Sequence, residues 1–363
     1  MLYILWIIVF SITVLYTIQN PRMNKGKKMI MGLLFIFLWI LLGWSRGAYD
    51  VEIGVSRYVN YQYFQSFTEI GYNFLVVLAH RWNMGYRTFF AICSFVELLA
   101  IFWFVNKNCK KTPIVMGLFI LYPSIIYLQY IRNLAAIPFI LIAIDSLINK
   151  RKWYYIKYII FILLAATIHF SSLFFLIYLP ISFIKEKRIV FMVTIILFVI
   201  LQVSSRISFI YNLVTQYIGS EKTDILIRST NSTGNFGRVF GMIFSIMTFF
   251  CLYMILKRIY KVKMDDSDLF FNINLMSFLC IPLMLNYGVG FGRIPTLLYI
   301  INYCFLVNKI SCITSQKKRL QVYLILGMFL LALLFMNFRN LEYRKLVLYP
   351  FFEQNELIQW LLR

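Results

Sequence analysis

Apolar runs long enough to cross a bilayer recur along almost the whole chain, and that feature removes most folds from consideration. In hydrocarbon every backbone N–H and C=O must bond within the protein, which leaves helices and closed barrels; uninterrupted apolar runs of about 17 to 25 residues select helices. Twelve spans are read, at residues 2–18, 29–45, 86–105, 113–131, 134–148, 154–168, 170–184, 189–203, 239–256, 270–287, 294–308 and 320–337. The stretch 68–83 is apolar but short and interrupted, and reads as an interfacial or re-entrant helix. The expected fold is therefore all-α, a polytopic transmembrane bundle forming a single domain over 1–363, with longer extracytoplasmic segments at 46–85 and 204–238. Composition agrees: 61% of residues are hydrophobic, only 14% are charged, and the mean hydropathy is +0.77.

The net charge of +22 raises the question of a nucleic-acid partner. None is expected, because the basic residues sit in short clusters between apolar runs and not on one continuous basic segment. Loops 19–28, 106–112, 149–157, 185–188, 257–268 and 309–319 hold 22 of the 36 basic residues. With twelve spans these loops share one face, which the positive-inside bias makes cytoplasmic, and both termini fall outside. The chain start lacks a basic n-region and a small-residue cleavage site, so the run 2–18 is expected to stay as a span. Residues 154–184 fit a tight hairpin better than one long tilted helix, since a single crossing would put the clusters at 150–152 and 185–188 on opposite faces.

The two faces differ in the kind of cation they carry. Inside, lysines outnumber arginines 17 to 5; outside there are 2 lysines and 12 arginines. Lysine suffices as a topology signal, whereas the planar five-donor guanidinium suits phosphate recognition. Arginine can also simply snorkel at the interface. Arg46, Arg132 and Arg293 each end an apolar run with few charged neighbours; with Arg238 they are the candidate substrate-binding residues. The candidate acid–base groups outside are Asp50, Glu69 and His169. Each has a plainer role open to it: Asp50 as a salt-bridge partner of Arg46 four residues before it, Glu69 as a helix cap, His169 as a hydrogen-bonded structural residue. Tyrosines and phenylalanines in 46–85 suit interfacial anchoring or sugar stacking.

No P-loop, GxGxxG, HExxH or GxSxG is present, and the six cysteines show no CxxC or His/Cys grouping. No cofactor and no metal is expected; the acidic run at 265–268 lies among cytoplasmic lysines and reads as a solvated cluster.

Arg46 with Asp50, then Glu69-Ile70-Gly71-Tyr72, Tyr130-Ile131-Arg132-Asn133-Leu134-Ala135-Ala136, and above all Leu163-Leu164-Ala165-Ala166-Thr167-Ile168-His169-Phe170-Ser171-Ser172 resemble the EpsG family of bacterial exopolysaccharide proteins, itself similar to the Wzy polymerases of O-antigen and capsule synthesis. The resemblance covers residues 40–185, with a weaker late match around Phe291-Gly292-Arg293. It implies a glycosyltransferase that moves a growing glycan from undecaprenyl pyrophosphate onto another lipid-linked repeat at the outer face of the cytoplasmic membrane. Its partners would be that lipid-linked oligosaccharide, membrane lipids and a chain-length regulator protein. Arg132 and Arg293 would then bind pyrophosphate, with His169 or Asp50 near the acceptor. The competing classes are a flippase for lipid-linked sugars, which should expose a polar path through the bundle, and a membrane acyltransferase, which would draw its donor from the cytoplasm.

Overall fold

The structure, a computed structural model, describes residues 6, 8–9, 13, 25–45, 51–62, 69–127, 131–204, 235–264, 268–287, 289–339, 341 and 344–361. Arg46, Asp50, most of the expected span 2–18 and residues 205–234 of the second exterior segment lie outside them. Regular structure among the described residues is helical, apart from one isolated bridge between Ser45 and Asn355.

In chain order the first helices are α1 (Lys25–Trp44), α2 (Val51–Val59), α3 (Ile70–Arg81), α4 (Tyr86–Asn108), α5 (Thr112–Leu121), α6 (Ser124–Tyr127), α7 (Ile131–Asn149) and α8 (Tyr154–Ile168). They are followed by α9 (Tyr178–Ile181), α10 (Lys187–Ser204), α11 (Asn235–Met254), α12 (Asp268–Met276), α13 (Cys280–Tyr287), α14 (Ile294–Ser311), α15 (Gln316–Phe338), α16 (Tyr349–Glu353) and α17 (Glu356–Leu361). Six helical stretches among the described residues are long and apolar enough to cross a membrane: Tyr86–Asn108, Arg132–Asn149, Val239–Ile259, Asp268–Asn286, Phe291–Ser311 and Gln316–Phe338. Four shorter apolar stretches, Lys28–Trp44, Thr112–Leu121, Tyr154–Ile168 and Phe170–Ile181, fall in other expected spans. The exposed side of α10 carries Ile195, Ile196, Val199 and Ile200, where a water-facing helix would carry charge.

Two expected spans are broken. The run 113–131 stops being helical at Leu121, and Tyr122 is extended (φ −162°, ψ 132°), as a residue before proline favours. The run 170–184 is a 3-10 segment, Phe170–Ile177, leading into the four-residue α9. Helix α8 ends before it, with His169 extended at its C-cap (φ −142°, ψ 111°), so 154–184 is not one continuous helix. The first exterior segment holds α2 in addition to the expected short helix.

The chain packs as two compact units. The first comprises Met1–Leu173, Tyr303–Asn308 and Leu320–Arg363. Its centre is α7 against α8 and α4, and α4 against α1. Trp39 donates from Nε1 to the Ala91 carbonyl at 2.9 Å, and Phe35 meets Phe95 and Phe102 edge to face. At one end of this unit Asp145 accepts from Lys107, from Asn108 Nδ2 at 3.0 Å and from Asn149 Nδ2 at 2.9 Å. There too Asn308 Nδ2 donates to the Asn108 carbonyl at 2.7 Å. At the other end of α4, Arg87 meets Glu356 at 3.2 Å and donates to the Ser45 carbonyl at 3.1 Å, while Asn355 bonds the Ile40 carbonyl at 2.7 Å. The 19 residues of α7 separate its ends by about 28 Å, at about 1.5 Å per residue.

The second unit comprises Phe174–Asn302 and Lys309–Arg319. Inside it Asn274 and Asn302 exchange amide hydrogen bonds at 2.8 Å each, and Asn286 Nδ2 donates to the Leu201 carbonyl at 2.9 Å. Lys187 pairs with Asp268 at 2.8 Å and lies over the Tyr253 and Phe271 rings.

Candidate functional site

Polar side chains gather in the first unit where three helix ends meet: the start of α3, the start of α7 and the end of α8. Glu69 occupies the N-cap of α3, where an acid complements the helix dipole, yet its side chain makes no capping bond. It turns instead to Arg132, whose Nη1 donates to both Oε1 and Oε2 at 2.7 Å each. His169 Nδ1 lies 3.4 Å from Oε1, and Arg57 Nη1 lies 3.7 Å from Oε2. Glu69 is only 4% exposed and His169 9%, so this is a charge cluster largely withdrawn from solvent. The side chains of Arg132 and Arg57 keep 22% and 20% of their surface exposed.

Local sequence explains why these groups meet. Helix α3 buries Tyr72, Val76 and Ala79, one face at helical spacing. Gly71 lets that face come close to the end of α8: a Cβ there would stand 2.4 Å from Thr167 Oγ1 and 3.1 Å from the Thr167 carbonyl carbon. The residues beside Gly71 and Thr167 are thereby drawn together, Glu69 on one side and His169 on the other. Gly71→Ala is expected to cost about 1 to 3 kcal/mol by overpacking, read as a fall in the unfolding midpoint of the purified protein. Adding Thr167→Ala should restore only part of it, since the backbone carbon remains; an unchanged midpoint for Gly71→Ala would show that the approach is not tight.

Arg57 is delivered by α2. Tyr58, next to it, is buried, donates its hydroxyl to the Met84 carbonyl and stacks on His80 with ring centroids 4.4 Å apart; Tyr61 stacks on His80 at the same distance. His80 Nε2 lies 2.8 Å from the Tyr58 carbonyl oxygen, so α2 is fastened to the end of α3. Burial pushes the Tyr58 hydroxyl above the usual phenol range. Tyr72 is pushed well above it, by burial first and then by Tyr86 and Cys93, against the lowering effect of Arg132 and Arg57. Both phenols are therefore neutral, and the Tyr72 hydroxyl is buried with no hydrogen-bond partner among the described residues.

Three of the seven candidates from sequence, Glu69, Arg132 and His169, are brought together. Arg46 and Asp50 lie outside the described residues. Arg293 occupies the N-cap position of α14 without a side-chain capping bond, and Arg238 stands in the first turn of α11; both belong to the second unit. Arg57 was not singled out by sequence: the excess of exterior arginines marks the class of residue, but only the fold shows which of them faces the carboxylate.

The cluster sets one buried carboxylate among two guanidinium groups and an imidazole. Arg132 spends one nitrogen on Glu69; its Nε and Nη2 have no other partner among the described residues. Among those residues no three His, Cys, Asp or Glu side chains converge on a metal position. A helical membrane protein with guanidinium groups, a carboxylate and an imidazole at one end of its bundle is equipped to bind an anionic headgroup and handle a proton beside it. The chain belongs to the EpsG family, whose model matches residues 28–351 and so includes all four clustered residues. No curated protein and no solved structure matches it.

Proposed function

We propose that this protein is a polysaccharide polymerase that joins undecaprenyl-pyrophosphate-linked oligosaccharide repeats at the outer face of the bacterial cytoplasmic membrane, for O-antigen, capsule or exopolysaccharide. The observation that carries the reading is the Arg132–Glu69–His169 cluster, set in a member of the EpsG family. Transfer of a glycan from a lipid pyrophosphate needs donors for the leaving group and a base for the acceptor hydroxyl. In this reading Arg132 and Arg57 hold the pyrophosphate, and His169 takes the acceptor proton. Arg46, Arg238 and Arg293 are further carrier contacts, and Asp50 stands near the acceptor. A chain-length regulator is the proposed protein partner.

Twelve spans with both termini outside complete the proposal. The end of the first unit that holds Asn108, Asn149 and Asn308 leads into three of the lysine-rich loops, at 106–112, 149–157 and 309–319. Helix α7 runs from Arg132 to that end, which supports an exterior position for Arg132. The transporter alternative requires a polar path along the spans, but among the described residues the acids within them are few, chiefly Glu97, wholly buried in α4, and Asp145, bound at a helix end by Lys107, Asn108 and Asn149. A strain lacking the protein tests the function. It is expected to accumulate single lipid-linked repeats at the outer face of the membrane and to make no long polymer. Repeats trapped on the inner face would assign the protein to transport instead.

A further inference from the structure

One polar group next to the cluster is left without a bond. Tyr72 stands one turn after Glu69 on α3 and is 4% exposed; its ring packs edge to face on Phe89, with centroids 6.2 Å apart. Its hydroxyl is buried and makes no hydrogen bond among the described residues, although Tyr86 and Cys93 are near enough to act on it electrostatically. A buried donor left unpaired destabilises the fold, and phenylalanine would fill the same space without that penalty. The surroundings give the hydroxyl a use. Arg132 and Arg57 both act on it, so it lies in the field of two guanidinium groups. Burial keeps the phenol protonated; it offers an O–H, and guanidinium groups gather the oxygens of an anion. Arg132 brings the edge formed by Nε and Nη2, likewise without a partner among the described residues. An anion taken there adds to the site and leaves the pair between Arg132 and Glu69 in place.

We propose, building on the polymerase reading, that Tyr72 is a further substrate-binding residue, its hydroxyl donating to an oxygen of the carrier pyrophosphate seated on the Nε and Nη2 edge of Arg132. Two oxygens of a phosphate match that edge side by side, and the group has more acceptor oxygens for the O–H. Arg132 is partly exposed and meets the phosphate first, and the covered hydroxyl completes the coordination from the protein side. The phenol contributes a donor without a further charge. Its hydrogen bond exists only with carrier bound, so binding removes the penalty of the unpaired group.

Tyr72→Phe tests this, because its effects on fold and on binding differ in sign. The variant loses an unpaired buried hydroxyl, so the unfolding midpoint of the ligand-free purified protein should rise or stay where it is. Undecaprenyl pyrophosphate in detergent should bind about tenfold more weakly by calorimetry, as the loss of a hydrogen bond to a charged group implies. Synthesis of polymer from lipid-linked repeats should lose about tenfold in kcat/KM. Unchanged binding, or weaker binding in a variant that melts lower or does not fold, overturns the assignment and leaves Tyr72 a packing residue. Inorganic pyrophosphate should bind the unsubstituted protein more weakly than the lipid does, and equal affinities would overturn the assignment to a lipid carrier. The two donors serve one phosphate, so Tyr72→Phe made in the Arg132→Lys protein should weaken binding less than it does alone; fully additive losses would overturn the shared site. Failure of the polymerase reading is seen separately, as no polymer from the unsubstituted protein while Tyr72→Phe still weakens binding.

Discussion

Arg132→Lys is expected to slow polymer synthesis at least about tenfold although the positive charge is kept. The donor set of Arg132 is divided: Nη1 serves Glu69, and the edge formed by Nε and Nη2 is left for substrate. An ammonium group is a single point on a flexible stem and cannot serve two anions in two directions with fixed geometry. Charge-assisted hydrogen bonds contribute about 1.5 to 3 kcal/mol each, and a loss of about 1.4 kcal/mol in the transition state is tenfold in rate. Arg132→Ala should be worse than lysine, because it also leaves Glu69 as a buried carboxylate without its nearest counter-charge. The measurement is polymer formed from purified lipid-linked repeats in liposomes by equal amounts of each protein. If lysine replaces Arg132 without loss, the residue is an interfacial anchor and the pyrophosphate contact is elsewhere.

The parts of this molecule that were legible in sequence are those written as runs. The six membrane-length helices among the described residues all fall in long apolar runs, because hydrocarbon leaves the backbone no alternative. Breaks inside a run differ in how they can be read: the stop of α8 at His169 is expected from the basic clusters on either side of 154–184, whereas Tyr122 leaves the helix because Pro123 follows it, inside a run read as unbroken. The site was legible as residue types but not as a constellation. Glu69, Arg132 and His169 stand out singly as polar groups near the ends of apolar runs, yet the contacts joining them span 63 and 100 residues of chain. For Glu69 the sequence left capping and chemistry equally open, and only the position of Arg132 shows why the side chain turns from its own helix. Arg57 carries no local signal, since its place depends on Tyr58 packing against His80 and Met84.

Asp145 and Glu97, both buried acids of the first unit, should respond to substitution in opposite ways. Asp145 accepts hydrogen bonds from Lys107, Asn108 and Asn149 at the joined ends of α4 and α7. Asp145→Ala leaves a half-buried ammonium without its counter-charge and takes one of two acceptors from each amide, Asn108 keeping the Phe104 carbonyl and Asn149 the backbone carbonyl of residue 145. With Lys107 28% exposed, the loss is expected at the low end for a broken buried pair, about 2 to 3 kcal/mol. Glu97, on the same helix α4, is 0% exposed and neither carboxyl oxygen has a hydrogen-bond partner among the described residues; Ser94, one turn earlier, is also buried with its hydroxyl unpartnered among them. A buried polar group without a hydrogen bond costs about 1 to 3 kcal/mol, and methionine has nearly the same length and fills the same space. Glu97→Met is therefore expected to raise stability by an amount in that range. Buried Cys93, Cys280 and Cys304 supply the readout, because a thiol-reactive dye reaches them only as the detergent-solubilised protein unfolds. The midpoint of that reaction should fall for Asp145→Ala and rise for Glu97→Met. A fall for Glu97→Met would mean that the folded protein uses this carboxyl for an interaction worth more than its burial costs, and that acid would then belong with the functional residues.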